Sequence, residues 1–273
     1  MGVAPLPVFL FGTLRDLDLL EIVAGGSLDW CDADLLDHRV AVANGQSFPI
    51  LTEQPGSATR GLLINPQPEH LARLDFYESP YSYTRQPVSV HVGDETIDAE
   101  TYRPEVELWE PGEDWLLERW QRDHGPLMRE AALEIMDDMG RVAPELIAQR
   151  FGVIRTRAQQ RLNARAVFSP VELREAHSRN DVELVAKRMP YSHFFTLQEL
   201  DVRARKFTGE MSEPMERAVF VAADAVTVLP YDPVRDHVLL IEQFRPGCYL
   251  RGDPCPWSLE AVAGRQDPGE THE

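Results

Sequence analysis

The sequence is short of lysine, of cysteine and of long apolar runs. Lys187 and Lys206 are its two lysines; 27 basic residues face 45 acidic ones, for a formal net charge of −18. A surface this acidic repels nucleic-acid phosphates and anionic lipid, which argues against nucleic-acid or membrane partners. Cys31, Cys248 and Cys255 are too few, and odd in number, for a disulfide framework, and they point to a reducing cytoplasm. Cys248 and Cys255 also lack the companion ligands of a zinc site. No apolar run approaches the ~18 residues of a membrane span, and no basic segment precedes one, so no signal peptide is expected. What is present is globular: 43% apolar and 26% charged residues, with 273 residues favouring two domains.

The charge is uneven. Residues 1–140 hold 9 basic and 26 acidic side chains, residues 141–180 hold 8 and 3, and residues 181–273 hold 10 and 16. A connector packed on acidic neighbours and a solvated arginine-rich helix both fit that basic segment, and composition leaves the two open. Along the chain, residues 7–14 read as a strand ending in a glycine loop. Residues 16–24 read as a helix stopped by Gly25-Gly26. Strands are expected at 35–43 and 61–64 around a loop at 46–56, then a proline-started helix at 68–77. A hairpin over 88–92 and 96–102 turns on Gly93-Asp94. Leu116, Trp120, Leu127, Ala131, Ile135 and Met139 make a helical stripe, broken at Gly125-Pro126. A third helix starts at Pro144 and runs toward Phe151, and a separate one covers 157–166. Strands return at 181–188, within 194–206, at 217–230 and at 237–244. The run Val238 to Ile241 predicts a strand buried on both faces. Short strands mixed with short helices give an α+β fold.

Two constellations carry chemistry. The first begins with Phe11-Gly12-Thr13-Leu14, directly after the opening strand. A glycine there lets backbone N–H groups converge into a nest that binds a carboxylate, although an ordinary turn has the same composition. Its second part is Glu78, at the end of a short helix and amid Tyr77, Tyr81 and Tyr83. Desolvation among aromatics raises a carboxyl pKa and suits it to proton transfer, whereas a solvated loop acid would do nothing. The order of FGTL, Arg60-Gly61-Leu62-Leu63, LDFYES and YTR over residues 7–105 resembles the gamma-glutamylcyclotransferase (AIG2-like) family. That resemblance implies a small mixed α+β barrel, no cofactor, and release of 5-oxoproline from gamma-glutamyl amines. It makes Glu78 the acid/base and Phe11, Gly12, Thr13 and Leu14 the substrate cradle. Many members have tyrosine where this chain has Phe11. A non-catalytic ligand-binding or dimerisation module is the alternative.

The second constellation lies in residues 225–270. Ala225 to Pro233, Val238 to Arg245 and Pro256 to Gly264 resemble the ADP-ribose pyrophosphatase branch of the Nudix hydrolases, and the likeness extends over 180–273. Gly264 and Glu270 match the start of the Nudix box. The resemblance implies the N-terminal part of a Nudix α/β/α sandwich and Mg²⁺-dependent cleavage of ADP-ribose to AMP and ribose 5-phosphate. By the same resemblance Arg217 and Arg245 hold the phosphates and neighbouring groups. Phe194 and Phe195 pack on the adenine of the other subunit of a homodimer, and the carbonyl of Ala263 is a metal ligand. The family's Mg²⁺ carboxylates would fall beyond Glu273, so this chain is expected to lack Nudix activity. The expected organisation is a cyclotransferase-like domain at 1–110, a helical connector at 111–180 and an incomplete Nudix domain at 181–273. The pairing resembles bacterial Nudix proteins of the tellurite-resistance-associated type, with small-molecule substrates and a cytoplasmic location.

Overall fold

The computed structural model describes residues 5–104, 109–166 and 177–270. Its first strand, β1 (Val8–Leu10), is buried along its whole length because its two faces serve two cores. Phe9, and Phe11 just beyond, point into a barrel with Ala33, Leu35, Leu51, Leu63, Val90 and Ala99. Val8 and Leu10 point the other way, into a layer shared with helices, where Leu62 and Ile64 join them. Side chains alternate along a strand, so a continuous apolar run is what a strand with two buried faces requires. The barrel's other strands are β2 (Trp30–Ala43), β3 (Pro49–Ile64), β4 (Tyr83–Val92) and β5 (Glu95–Pro104). The order β3-β1-β5-β4-β2, with β2 pairing back onto β3, closes five strands, and β6 (Pro111–Asp114) adds to β2. β1 runs parallel to β5 and antiparallel to β3.

Two glycines decide local geometry. A Cβ at Gly61 would lie 2.5 Å from the Leu10 carbonyl oxygen and 2.5 Å from the Phe9 ring, so the β1–β3 contact admits no side chain there. The stretch expected as a loop at 46–56 is strand from Pro49 onward. Its glycine and proline mark an irregularity instead: Gly56, at φ +81°, donates its N–H to Asp37 Oδ1 at 2.8 Å where the β2–β3 register shifts.

The helices are α1 (Leu17–Ala24), α2 (Pro68–Glu78), α3 (Leu117–Asp123), α4 (Gly125–Asp137) and α5 (Pro144–Ala166). Asp16 caps α1, accepting the Leu19 N–H at 2.9 Å, and Gly25 ends it at φ +83°. The two helices expected from Pro144 to Phe151 and over 157–166 are one helix of 23 residues. Gly152 does not break it, because the buried face continues through Ile147, Ile154 and Ala158. The basic tract is explained by its neighbour. Arg161 reaches Glu130 at 3.2 Å and Glu134 at 2.9 Å, Arg157 pairs with Glu134, and Arg165 pairs with Glu130, all on α4. Trp115, Trp120, Ile135, Ile147 and Ile154 share one core with Val8 and Leu10. The helices placed in a connector at 111–180 therefore pack on the barrel, and the chain divides into units 1–168 and 169–273.

In the second unit, β7 (Val182–Ser192), β8 (Thr196–Ala204) and β9 (Met215–Val221) form an antiparallel sheet. β10 (Ala225–Val228) pairs with β15 (Val262–Arg265), β11 (Tyr231–Asp232) with β12 (His237–Val238), and β13 (Ile241–Phe244) with β14 (Trp257–Glu260). A short helix, α6 (Pro246–Arg251), follows β13. The single strand expected at 217–230 is two, β9 and β10, in different sheets. Val238, Leu239 and Leu240, expected to be buried on both faces, are exposed at 49%, 58% and 43%. The reason is that β12 and β13 each have one partner strand, and among the described residues of this unit no apolar side chain is buried. No helix among the described residues is long and apolar enough to cross a membrane.

Two glycine substitutions should act in opposite directions. Gly61→Ala is expected to destabilise the first unit by about 1–3 kcal/mol, because the blocking atom is backbone. Gly152→Ala, with nothing within 4 Å of its Cβ position, should stabilise by up to about 1 kcal/mol. Urea unfolding of the two variants and the parent checks both signs.

Candidate active site

Glu78 is the last residue of α2, and the helix is locked by its neighbours. Leu71, Leu74 and Tyr77 are buried against the core. On the adjoining face, Asp75 accepts from Arg85 Nε of β4 at 2.9 Å and from Tyr102 Oη of β5 at 2.7 Å. Arg85 also pairs with Glu100. The acid of LDFYES and the base of YTR thus form one charge-assisted network that fixes the end of α2 on the barrel. The sequence motifs alone do not show this task.

The network presents Glu78 to a cavity of 390 Å³. The same cavity is lined by Phe11, Gly12, Thr13 and Leu14, so the two segments singled out in the sequence converge. Phe11 and Leu14 send their side chains into the cores, at 6% and 3% exposure. Thr13 and Leu14 open a 3₁₀ turn over Thr13–Arg15, and the first N–H groups of such a turn have no acceptor within it. Gly12 is required by close approach: a Cβ there would sit 2.8 Å from Pro49 Cγ. Trp109, and Trp120, Met128, Phe151 and Arg155 of the helical layer, complete the wall. Trp120 reads in sequence as plain core, and no local signal distinguishes Arg155 within its arginine-rich helix.

Electrostatics single out Glu78. It is half-buried and lines the cavity, and burial pushes its carboxyl from the ordinary 4.5 up to about 8. Such a group is mostly protonated at neutral pH and exchanges its proton within the physiological range. Four tyrosines surround it. Tyr77, Tyr81, Tyr83 and Tyr102 are all raised, first by burial, with the negative charge of Glu78 among the further causes. The hydroxyls of Tyr81 and Tyr83 are buried without a hydrogen-bond partner among the described residues. Leaving a polar group so costs about 1–3 kcal/mol, which a polar ligand would relieve.

The second unit's expected site residues lie on its own strands and turns. Arg245 forms an ion pair with Glu260 at 2.6 Å, joining the ends of β13 and β14. Arg217 is exposed on β9 and donates to the Glu216 carbonyl at 2.7 Å. Phe194 and Phe195 lie in the turn between β7 and β8, not in a strand; their rings meet edge-on at 4.8 Å, and Phe195 meets Phe220 at 4.7 Å. Ala263 and Gly264 sit in the β10–β15 ladder opposite Thr227 and Val226. Glu270 closes a turn, its carboxylate accepting the Asp267 N–H at 2.8 Å. A Mg²⁺ site does not fit what is here: among the described residues no three His, Cys, Asp or Glu side chains gather to hold a metal, and Glu260 is engaged by Arg245.

Residues 8–121 match the model of the family described as gamma-glutamyl cyclotransferase, AIG2-like. An ADP-ribose pyrophosphatase of Escherichia coli (strain K12) is 41% identical over 107 residues, covering 39% of this chain and 51% of that protein. An ADP-ribose pyrophosphatase of Haemophilus influenzae is 34% identical over 98 residues, covering 35% and 45%. The chain thus spans about half the length of the curated relatives it matches. Among solved structures, an AIG2-like protein from Mus musculus is 19% identical, covers 41% of this chain and 88% of that one, and has a TM-score of 0.33.

The raised pKa of Glu78 makes a stability prediction. Its folded-state value lies above its unfolded one, so the stability it contributes is full below about pH 4.5 and is lost as pH rises to about 8. Glu78→Gln should therefore match the parent near pH 4.5 and exceed it above pH 8 by about 1–3 kcal/mol, allowing for water in the cavity. Denaturant unfolding at the two pH values checks it; an equal offset at both would place the carboxyl in ordinary solvent.

Proposed function

We propose that the AIG2-like domain at residues 8–121 releases 5-oxoproline from gamma-glutamyl compounds, with Glu78 as the proton carrier. The observation that carries this reading is a carboxyl near pKa 8 facing the same cavity as the 11–14 loop. The N–H groups of that loop hold the substrate's α-carboxylate. The substrate's α-amine attacks its own γ-carbonyl carbon, forming the ring C–N bond as the bond to the leaving amine breaks. Glu78, as carboxylate, takes the proton released by the attacking nitrogen and returns it to the departing one, so protons balance over the cycle. In this reading the hydroxyls of Tyr81 and Tyr83, buried without a hydrogen-bond partner among the described residues, donate to the oxygen that gains charge. A non-catalytic binding module would have no use for a proton carrier, which makes this alternative separable by experiment.

A second reading concerns residues 169–273 and rests on the motif likeness over 180–273 together with the 41% identity over 107 residues to an ADP-ribose pyrophosphatase. We infer that this unit is the nucleotide-recognising part of a Nudix-type pyrophosphatase fold. Arg245 and Arg217 are its phosphate-side cations, and Phe194, Phe195 and Phe220 form an aromatic face for a base in a homodimer. In the complete reaction Mg²⁺ would supply charge neutralisation at the pyrophosphate. Among the described residues no three His, Cys, Asp or Glu side chains gather to hold it.

Glu78→Gln is expected to lower kcat for 5-oxoproline release roughly 10²–10⁴-fold. In the parent, kcat/KM should rise with pH to a plateau with an apparent pKa near 8. Equal rates in parent and variant would remove Glu78 from the mechanism, and ligand binding without release by either would make the domain a binding module. For the second unit, residues 1–273 incubated with ADP-ribose and Mg²⁺ should yield no AMP. Turnover abolished by Arg245→Ala would contradict this.

A further inference from the structure

Helix α5 lies outside the residues matched by the cyclotransferase family, yet it builds part of the cavity. Ala148, Phe151 and Arg155, spaced by three and four residues, turn one face of the helix inward. Arg155 is the one lysine or arginine among the described residues lining the cavity. Its neighbours Arg157, Arg161 and Arg165 are taken by Glu130 and Glu134 of α4. Arg155 is not: its Nε is buried without a hydrogen-bond partner among the described residues. The guanidinium makes a cation–π contact on its own helix. It lies 5.8 Å from the centroid of the Phe151 ring, and Phe151 meets Tyr81 edge-on at 5.4 Å. Nor is Arg155 the counter-ion of Glu78, whose pKa is set by burial with no neighbouring cation among its causes. Tyr81 lies within electrostatic reach of both. The cavity therefore carries a proton carrier, a backbone cradle and, separately, a cation that has no hydrogen-bond or ion-pair partner among the described residues.

We infer that Arg155 is a specificity-determining residue that reads an anionic group on the leaving-amine side of the substrate. The inference rests on the cyclotransferase reading of the cavity. There the 11–14 loop takes the α-carboxylate of the glutamyl group, which leaves Arg155 for a second carboxylate. A planar guanidinium matches a carboxylate in bidentate fashion, and a half-buried, unpaired one gains more from it than a solvated one. A substrate whose amine is an amino acid meets this requirement, and a neutral amine does not.

Two probes differ by that one group: gamma-glutamylglycine and the N-methylamide of glutamate's γ-carboxyl. The parent protein is expected to favour the glycine compound about 10–100-fold in kcat/KM, the value of one charge-assisted hydrogen bond in a buried site. Arg155→Gln should bring the ratio of the two toward one, mainly through KM for the glycine compound, and Arg155→Lys should restore part of it. A ratio that survives in Arg155→Gln, or equal losses on both probes in every variant, would overturn the inference. The second arm separates its failure from failure of the cyclotransferase reading. If the parent turns over neither probe, that reading falls. The Arg155 inference is then judged by the rise in Tm that each probe gives the Glu78→Gln protein. A larger rise with the glycine compound, lost when Arg155→Gln is added, upholds the anion site. Equal rises contradict it.

Discussion

A single buried carboxylate, Asp16, ties the 11–14 loop to the helices that close the cavity. It is 1% exposed and accepts four hydrogen bonds: from the Leu19 N–H at 2.9 Å, Gln121 Nε2 at 2.8 Å, Arg129 Nε at 2.8 Å and Arg129 Nη2 at 2.5 Å. Burial alone would raise its pKa, but the bonds from Arg129, Leu19 and Gln121 outweigh it and hold the carboxyl below its usual range. Asp16 immediately follows the turn at 13–15, while Gln121 and Arg129 belong to α3 and α4. The position of the 11–14 loop is thereby coupled to the helices that carry Trp120 and Met128 into the cavity wall.

Asp16 and Glu78 show how one fold gives two buried acids opposite fates. Asp16 is surrounded by donors and stays ionised. Glu78 is ringed by tyrosines and receives no compensating charge, so its neutral form is favoured. Opposed environments for paired titratable groups are how a protein separates structural from chemical roles. The network of Asp75, Arg85, Tyr102 and Glu100 belongs to the first kind, fixing α2 so that the second kind can exist at its end.

The sequence made the local features legible where one residue type has one physical use. Gly25 stopping α1, Gly93-Asp94 turning a hairpin and Pro68 starting α2 are of this sort. The convergence of FGTL with Glu78 was legible through the order of the family motifs. Long-range features were not. Nothing local shows that the glycine- and proline-containing stretch at 49–56 is strand, because β2 supplies its partners from across the hairpin. Nothing local breaks or joins α5 at Gly152, since the buried face of Ile147, Ile154 and Ala158 decides it. Arg155 was hidden for the same reason: its neighbours pair with α4, and only the fold turns it toward the cavity. In the second unit the apolar run Val238 to Ile241 reads as buried, but burial needs a covering layer, which the alternation of residue types cannot report.

The chemistry of the cavity depends on the state of one carboxyl. A ¹³C NMR titration of the Glu78 side-chain carbon in the parent protein, assigned by its loss in Glu78→Gln, measures that state without reference to any substrate. The structure predicts a midpoint near 8. A midpoint in the ordinary carboxylate range near 4.5 would mean that Glu78 is solvated and would remove it as the proton carrier of this cavity.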